Sequence, residues 1–169
     1  MRMKYTCPQV FLHWLSALVI IWATLSGFYV ALFKVSPQIK SLIGFINVST
    51  TTIFIPFFIA RLYFMFRHGK PEENKPKTFS FYMAHFIHIM LYLSIAMVLV
   101  SGVLMMDRDI NVFNLFYIPQ PLHQVALTAL FRQYHSFCCT MLAFLVFIHI
   151  SAVFKHHLSG NKILSRMRF

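Results

Sequence analysis

Four long apolar stretches, separated by shorter polar connections, dominate the chain. They run from about residues 10 to 33, 42 to 66, 79 to 106 and 134 to 158. A helix needs about 20 apolar residues to cross about 30 Å of hydrocarbon, and it satisfies its backbone polar groups within one segment. The pattern therefore predicts an all-α membrane protein, an up-down four-helix transmembrane bundle that forms a single domain over residues 1–169.

The connections differ in character. Residues 34–41 and 67–78 are short and polar, whereas residues 107–133 are longer and fairly apolar. The long connection either lies on the membrane surface or folds over the mouth of the bundle. The apolar run after Arg2 and Lys4 is too long for the core of a signal peptide and lacks a small-x-small cleavage site, so we interpret it as a retained first span.

Composition and charge agree with a membrane location. The chain is 59% hydrophobic and 11% charged, and a soluble domain this apolar could not cover its surface. Its formal net charge is +11, but the basic residues flank the spans, which favours lipid contact over nucleic acid as a partner. One side carries ten of them: Arg2, Lys4, Arg67, Lys70, Lys75, Lys77, Lys155, Lys162, Arg166 and Arg168. The other side carries four: Lys34, Lys40, Arg108 and Arg132. The positive-inside rule predicts that both termini are cytoplasmic, N-in/C-in.

Two histidines in the last span have an informative spacing. His135 and His149 are 14 residues apart. In an α-helix this offset falls about 40° short of four full turns and rises about 21 Å. Both imidazoles then lie on one face of the span, one near each membrane surface. Ionisable side chains at such depths are costly and commonly functional.

The same offset sorts polar and small residues of the other spans into two levels. The inner level contains His13, Arg61, His88 and His149. The outer level contains Gly27, Asn47, Gly102 and His135. A lone intramembrane histidine is commonly a hydrogen-bonded core residue, but His13 and His149 come from opposite ends of the chain and match in depth. We interpret them as the two axial ligands of an iron porphyrin, an arrangement that favours electron transfer over oxygen chemistry. No Cys-x-x-Cys-His motif is present, so covalent attachment of the haem is not expected.

Two further polar positions each allow two interpretations. Arg61, within the second span, either binds a haem propionate or anchors the helix at the interface. His156 follows His149 by seven residues, on the same stripe of the helix. It either exchanges protons with a quinone, because histidine titrates near neutral pH, or forms a polar cap with its basic neighbours. The adjacent Cys138 and Cys139 are interpreted as packing residues.

Several short motifs, taken in order, carry a family resemblance. They are Leu12-His13-Trp14, Arg61-Leu62 with Arg67, His88-x-x-Leu91-Tyr92, His135, His149, His156-His157 and Leu164-x-Arg166-Met167. Their order and spacing resemble the bacterial cytochrome b561 family, which in turn resembles the haem subunits of some hydrogenases. The resemblance covers nearly the whole chain. It implies a multi-pass protein of the bacterial inner (cytoplasmic) membrane with two b-type haems, which exchanges electrons with ubiquinone or another quinone. Some members are understood to oxidise superoxide and reduce ubiquinone.

Carried over residue by residue, the resemblance implies one departure. His13 and His149 would ligate the inner haem, and His135 would ligate the outer haem with a histidine on the second span. The matching position here is Asn47. Because an amide is a poor haem ligand, three outcomes are open: the outer haem is absent, it is five-coordinate on His135 with an open site for a small molecule, or His123 substitutes from the long connection.

The leading interpretation is therefore a membrane-bound b-type cytochrome, an oxidoreductase or electron carrier with haem b as its cofactor. A second interpretation, motivated by Asn47, is a degenerate family member with one haem that acts as a structural or interaction protein. A third is a small transporter or channel. Intramembrane ionisable residues fit it in general, but no inverted repeat or interrupted helix pair is evident.

Overall fold

The computed structural model describes residues 5–68 and 79–159. Its helices are α1 (Cys7–Leu32), α2 (Pro37–His68), α3 (Phe79–Leu104) and α4 (Val125–Leu158). Between α3 and α4, β1 (Ile110–Val112) and β2 (Phe116–Ile118) form a two-stranded antiparallel hairpin. Each of the four helices contains a segment long and apolar enough to cross a membrane. The predicted all-α membrane fold is confirmed, whereas the N-in/C-in orientation stays a prediction.

Some predicted features lie outside the described residues. They are the basic residues Arg2, Lys4, Lys70, Lys75, Lys77, Lys162, Arg166 and Arg168, and the motif Leu164-x-Arg166-Met167. Most of the ten-residue basic side that sets the predicted orientation therefore rests on the sequence alone.

Three of the helices, α1, α2 and α4, begin earlier than the apolar stretches that predicted them, whereas α3 begins at Phe79 as predicted. The second helix begins at Pro37, where proline is suited to the first turn because its missing N–H would have no partner there. The fourth begins at Val125 and takes in residues 125–133, which were predicted as part of the long connection. At 1.5 Å per residue, the 32 residues of α2 and the 34 residues of α4 exceed the length needed to cross about 30 Å of hydrocarbon, so their ends need not be apolar. Hydrophobicity therefore marked the spans and underestimated the lengths of these two helices.

The four helices pack as two pairs. Helix α1 packs along α2, and α3 packs along α4, while α2 and α3 touch less extensively. The two pairs meet at an apolar core formed by Val19, Phe54, Phe58, Ile95 and Leu142. The bundle therefore has two facing walls, an α1/α2 wall and an α3/α4 wall, with an internal space between them.

This core separates the two predicted levels. Phe54, Ile95 and Leu142 each lie seven residues from the inner-level residue and seven from the outer-level residue of their own helix. Seven residues of α-helix rise about 10.5 Å. The buried core is consequently an apolar layer midway between the inner and outer levels.

The outward faces of the helices are apolar as well. Leu18 and Phe147 are each 70% exposed and Phe144 is 59% exposed. A soluble protein rarely presents so much contiguous apolar surface, whereas lipid solvates it without cost. The exposed faces of the bundle are therefore its lipid-facing surface.

The hairpin in the long connection packs onto the bundle. Ile110 and Val112 of β1 are buried. The Ser49 hydroxyl of α2 donates to the Asn111 carbonyl oxygen at 3.1 Å and accepts from the Phe113 N–H at 3.1 Å. Of the two expectations for this connection, the structure shows the second: its first strand folds over the mouth of the bundle.

Candidate functional site

At the inner level, the structure brings the predicted residues together as two pairs, one on each wall. On the α1/α2 wall, Arg61 Nη2 donates to His13 Nδ1 at 3.1 Å. On the α3/α4 wall, the rings of His88 and His149 meet edge to face, with centroids 5.0 Å apart and planes at 84°. Arg61 also reaches the α3/α4 wall, where Tyr92 lies. The inner level is therefore a four-residue cluster, the inner cluster, made from all four helices.

Arg61 spans the two walls. Its guanidinium carbon lies 4.9 Å from the centroid of the Tyr92 ring, which belongs to α3. A cation over an aromatic face is stabilised by the ring quadrupole, and more strongly where water is scarce. This contact holds the charge of Arg61 beside His13 inside the bundle instead of at its surface. The sequence motif contained Tyr92, but nothing in it predicted the contact.

Hydrogen bonds assign the tautomers of two inner histidines. Arginine can only donate, so His13 Nδ1 accepts and its proton sits on Nε2. His88 shows the opposite arrangement, because its Nδ1 contacts the Ala84 carbonyl oxygen, which can only accept. His88, whose ring packs against His149, therefore carries its proton on Nδ1.

At the outer level, the predicted residues surround a cavity of about 460 Å³. Gly27 and Asn47 line it from the α1/α2 wall, and Gly102 and His135 line it from the α3/α4 wall. Ile110 of the hairpin also lines it. The volume lies in the range of small-molecule and cofactor pockets, about 300–1,000 Å³. We call this space the outer cavity.

His135 is held firmly in the outer cavity. Its Nδ1 lies 3.1 Å from Ser101 Oγ, and Ser101 in turn donates its only proton to the Met97 carbonyl oxygen at 2.6 Å. Ser101 must therefore accept from His135, which places the imidazole proton on Nδ1. A metal-ligating histidine commonly has this arrangement, with one nitrogen donating to a fixed acceptor and the other free to bind.

The other face of the His135 ring is equally confined. A Cβ added to Gly102 would come within 3.2 Å of His135 Cε1, so only glycine allows this ring position without displacement. His135 Nε2 lies 3.4 Å from Cys139 Sγ, one turn further along α4. Sequence reasoning missed Ser101 and assigned Cys139 to packing. The only signal for Ser101 was a small polar residue next to Gly102 inside a span.

Asn47 faces the cavity from the opposite wall. The Ser26 hydroxyl lies 3.0 Å from Asn47 Oδ1 and 2.7 Å from the Trp22 carbonyl oxygen, so the amide is anchored to α1. His123, considered as a substitute ligand, is exposed just before α4 and is absent from the residues that line the outer cavity. The structure therefore shows one imidazole at the outer level, facing an amide.

His156 lies apart from both clusters. It sits half-buried in the last turn of α4, between Lys155 and the exposed His157. Positive charge is favourable at a helix C-terminus because unpaired carbonyl groups point there. The position fits the polar-cap interpretation, and the proton-exchange role stays a prediction.

Comparison with known families adds one finding. A family model described as prokaryotic cytochrome b561 matches residues 4–169. The chain belongs to the prokaryotic cytochrome b561 family. This membership confirms the resemblance and implies a multi-pass membrane protein that binds b-type haem and transfers electrons.

The inner cluster fits the haem that a cytochrome b561 implies. It offers imidazoles from both walls, as two axial ligands require, and a cation beside them that can meet a propionate. Among the described residues, no group of three or more His, Cys, Asp or Glu side chains converges as a bare metal ion would need. A porphyrin needs no such group, since it supplies four nitrogens of its own.

Proposed function

We propose that this protein is a b-type cytochrome of the bacterial inner membrane that exchanges electrons with the quinone pool. Its haem would lie between the two helix pairs at the inner level. The observation that carries the proposal is that His13 and Arg61 pair on one wall while His88 and His149 pair on the other. Arg61 also reaches across to the Tyr92 ring of the facing wall. Bound there, the haem supplies one-electron redox chemistry, and the chain supplies its ligands, charge and apolar surroundings.

His13 and His149 would be the axial ligands. A neutral imidazole that binds iron through Nε2 carries its proton on Nδ1, where Arg61 now donates to His13. Ligation therefore requires the imidazole proton to move and Arg61 to release the ring. The freed guanidinium stays near through Tyr92 and becomes available to a carboxylate, which gives the propionate role of Arg61 a physical basis.

His88 would position His149 rather than bind iron. Its ring edge packs against the His149 ring, and the family resemblance carries the ligand role to His149. This contact limits the rotation of the His149 ring. The two histidines are distinguishable because loss of a ligand removes haem, whereas loss of a positioning residue shifts the potential or the spectrum of haem that is still bound.

Quinone exchange would take place near the inner end of the bundle, where His156 follows the haem ligand by two turns of α4. Ubiquinone is one candidate acceptor, and superoxide is one candidate donor, both suggested by the family resemblance. A quinone takes up protons with its electrons, and a half-buried histidine at the membrane boundary suits that exchange.

The decisive experiment measures haem in the purified protein. We expect the reduced-haem absorbance of the inner site to be lost in His13→Ala and in His149→Ala. His157→Ala removes an exposed imidazole from the same helix and serves as the matched control, with its spectrum unchanged. An unchanged spectrum in both ligand variants would refute the assignment.

A second candidate function follows from Asn47 at the outer level. A protein with haem only at the inner level would have to move electrons across the apolar core without a second carrier, and would act as a structural or interaction protein. The discriminating measurement is reduction of haem by quinol in membranes. Rapid reduction at both levels would rule out this second function.

A further inference from the structure

Resting on the proposed function, we infer that the outer cavity also takes a haem, bound through His135 alone, and that the axial position facing Asn47 is open to a small neutral ligand. The inner and outer haems would then differ in coordination number. The inner haem would serve electron transfer only, while the outer one would also bind diatomic molecules.

The α3/α4 wall is ready to supply one ligand. Ser101 commits its proton to the Met97 carbonyl oxygen and so accepts from His135 Nδ1, which leaves the lone pair on Nε2. The Cys139 thiol, a weak donor, faces that lone pair at 3.4 Å, and the iron would take its place. Ser101 is 1% exposed, so this acceptor does not exchange with water. Gly102 leaves just enough space for the ring. The imidazole is therefore fixed in the tautomer that binds iron before any haem arrives.

The α1/α2 wall supplies no second ligand. Its residues lining the outer cavity, all within the described ranges, include no histidine, cysteine or methionine. Cys139, Met105 and Met106 also line the cavity, but they belong to α4 or directly follow α3, on the same side as His135. A ligand trans to His135 must come from the facing wall, where the structure has Asn47.

That facing wall has space and a hydrogen-bonding group. A Cβ built on Gly27 or on Gly44 would meet no atom within 4 Å, so part of the wall is open next to the amide. The Ser26 hydroxyl lies 2.7 Å from the Trp22 carbonyl oxygen and 3.0 Å from the Asn47 amide, so one end of the amide is fixed and the other is a polar group at the cavity wall. A polar group with free space beside it favours binding of a small ligand over closure of the site.

The test uses carbon monoxide as the probe, on purified, detergent-solubilised protein. Wild type is expected to hold about two haems per chain by pyridine haemochrome assay. Carbon monoxide should bind about half of the ferrous haem, and electron paramagnetic resonance should show one high-spin and one low-spin ferric species. His135→Ala should remove the haem that binds carbon monoxide and keep the low-spin one.

Two substitutions at one position sharpen the result. Asn47→His should abolish carbon monoxide binding and turn the high-spin signal into a second low-spin one, because an imidazole then fills the open position. Asn47→Leu is the matched control, since it alters the same side chain without adding a ligand. It should keep carbon monoxide binding, because the position facing His135 stays open. The low-spin inner haem reports folding in every variant.

The contrary outcomes are distinct from failure of the proposed function. One low-spin haem per chain in wild type, with no carbon monoxide binding, overturns the inference and leaves the inner site standing. Two low-spin haems overturn it as well, because a sixth ligand then closes the outer site, and loss of one signal in His123→Ala would name that ligand. A protein whose haem is unchanged in His13→Ala overturns the proposed function, and a protein that binds no haem at all overturns both proposals.

Discussion

The inner and outer levels are built on the same helices and offset by the same interval, yet they present different chemistry. The inner cluster has imidazoles on both walls, with Arg61 between them. The outer cavity has one imidazole, His135, facing the amide of Asn47. The apolar core around Phe54 separates the two levels. One bundle therefore carries two polar levels, the inner one with three imidazoles and a guanidinium and the outer one with one imidazole and an amide.

The two levels also differ in the tautomers of their histidines. His135 already has the tautomer for binding iron, because Ser101 accepts its Nδ1 proton. His13 has two potential partners for a shared iron, but Arg61 holds it in the opposite tautomer. In the proposed scheme, the outer site would have one imidazole ligand in the correct tautomer, whereas the inner site would have two and Arg61 would have to release one of them. A count of histidines alone would not distinguish these situations.

The largest expected effect comes from making the inner level resemble the outer one. His13→Asn should convert the low-spin inner haem to a high-spin form or lose it, because an amide replaces one of two imidazole ligands. We expect carbon monoxide binding to rise from about one to about two per chain wherever the haem is retained. His157→Asn, at an exposed position of α4, is the control. A low-spin inner haem that persists in His13→Asn would contradict the assignment of His13.

The next effect tests the acceptor behind His135. Ser101→Ala removes the group that receives the Nδ1 proton, and loss of such a partner commonly lowers metal affinity about 10–100-fold. Haem titration should show this loss at the outer level only. Ser16→Ala is a matched control, because Ser16 is equally buried and also donates to a carbonyl four residues back, from Leu12. Equal losses in both variants would mean that the effect is structural.

A methyl group at Gly102 should have an intermediate effect. The added Cβ would meet His135 Cε1 at 3.2 Å, so the ring must shift by a few tenths of an ångström. Overpacking of this kind typically costs about 1–3 kcal/mol. We expect Gly102→Ala to broaden or shift the outer haem spectrum and to leave the inner one unchanged. Gly44→Ala, where the methyl meets nothing within 4 Å, should change both spectra less.

The smallest effect concerns the outer rim of the bundle. Arg132 Nη2 donates to Asp107 Oδ2 at 2.7 Å, joining the end of α3 to α4. This hydrogen bond is the main reason that the pKa of Asp107 lies below its ordinary value. Because the folded-state pKa is lowered, the pair stabilises the fold above the ordinary pKa of about 3.9 and loses this contribution as pH falls through the folded value.

Both partners of this ion pair are largely exposed, so its contribution should be under about 1 kcal/mol. We expect Asp107→Asn to lower the thermal unfolding midpoint slightly at pH 7, and this difference to shrink as the pH falls through the lowered pKa of Asp107 and the wild-type carboxyl becomes protonated. Neither haem spectrum should change. A difference between variant and wild type that grows as the pH falls would contradict this sign.

The sequence alone predicted the four membrane spans and the depths of the residues at the two levels. Apolar runs of more than about 20 residues have few alternatives to membrane helices. Helical geometry is local and regular, so a 14-residue offset between His135 and His149 predicted the relative depth of both side chains. The same 14-residue offset, counted back from Arg61, placed Asn47 at the outer level, where it lines the outer cavity. Half of that offset leads to Phe54, in the apolar core midway between the levels.

Only the tertiary structure decided which side chains face one another. Pairing of α1 with α2 and of α3 with α4 depends on contacts between residues far apart in sequence, which a periodic pattern does not specify. The pairing of α3 with α4 brings Ser101 behind the imidazole of His135. The meeting of the two pairs places Asn47 opposite that imidazole and sets Arg61 against Tyr92. Depth is a property of each helix, but ligation and tautomer depend on the neighbours that packing supplies.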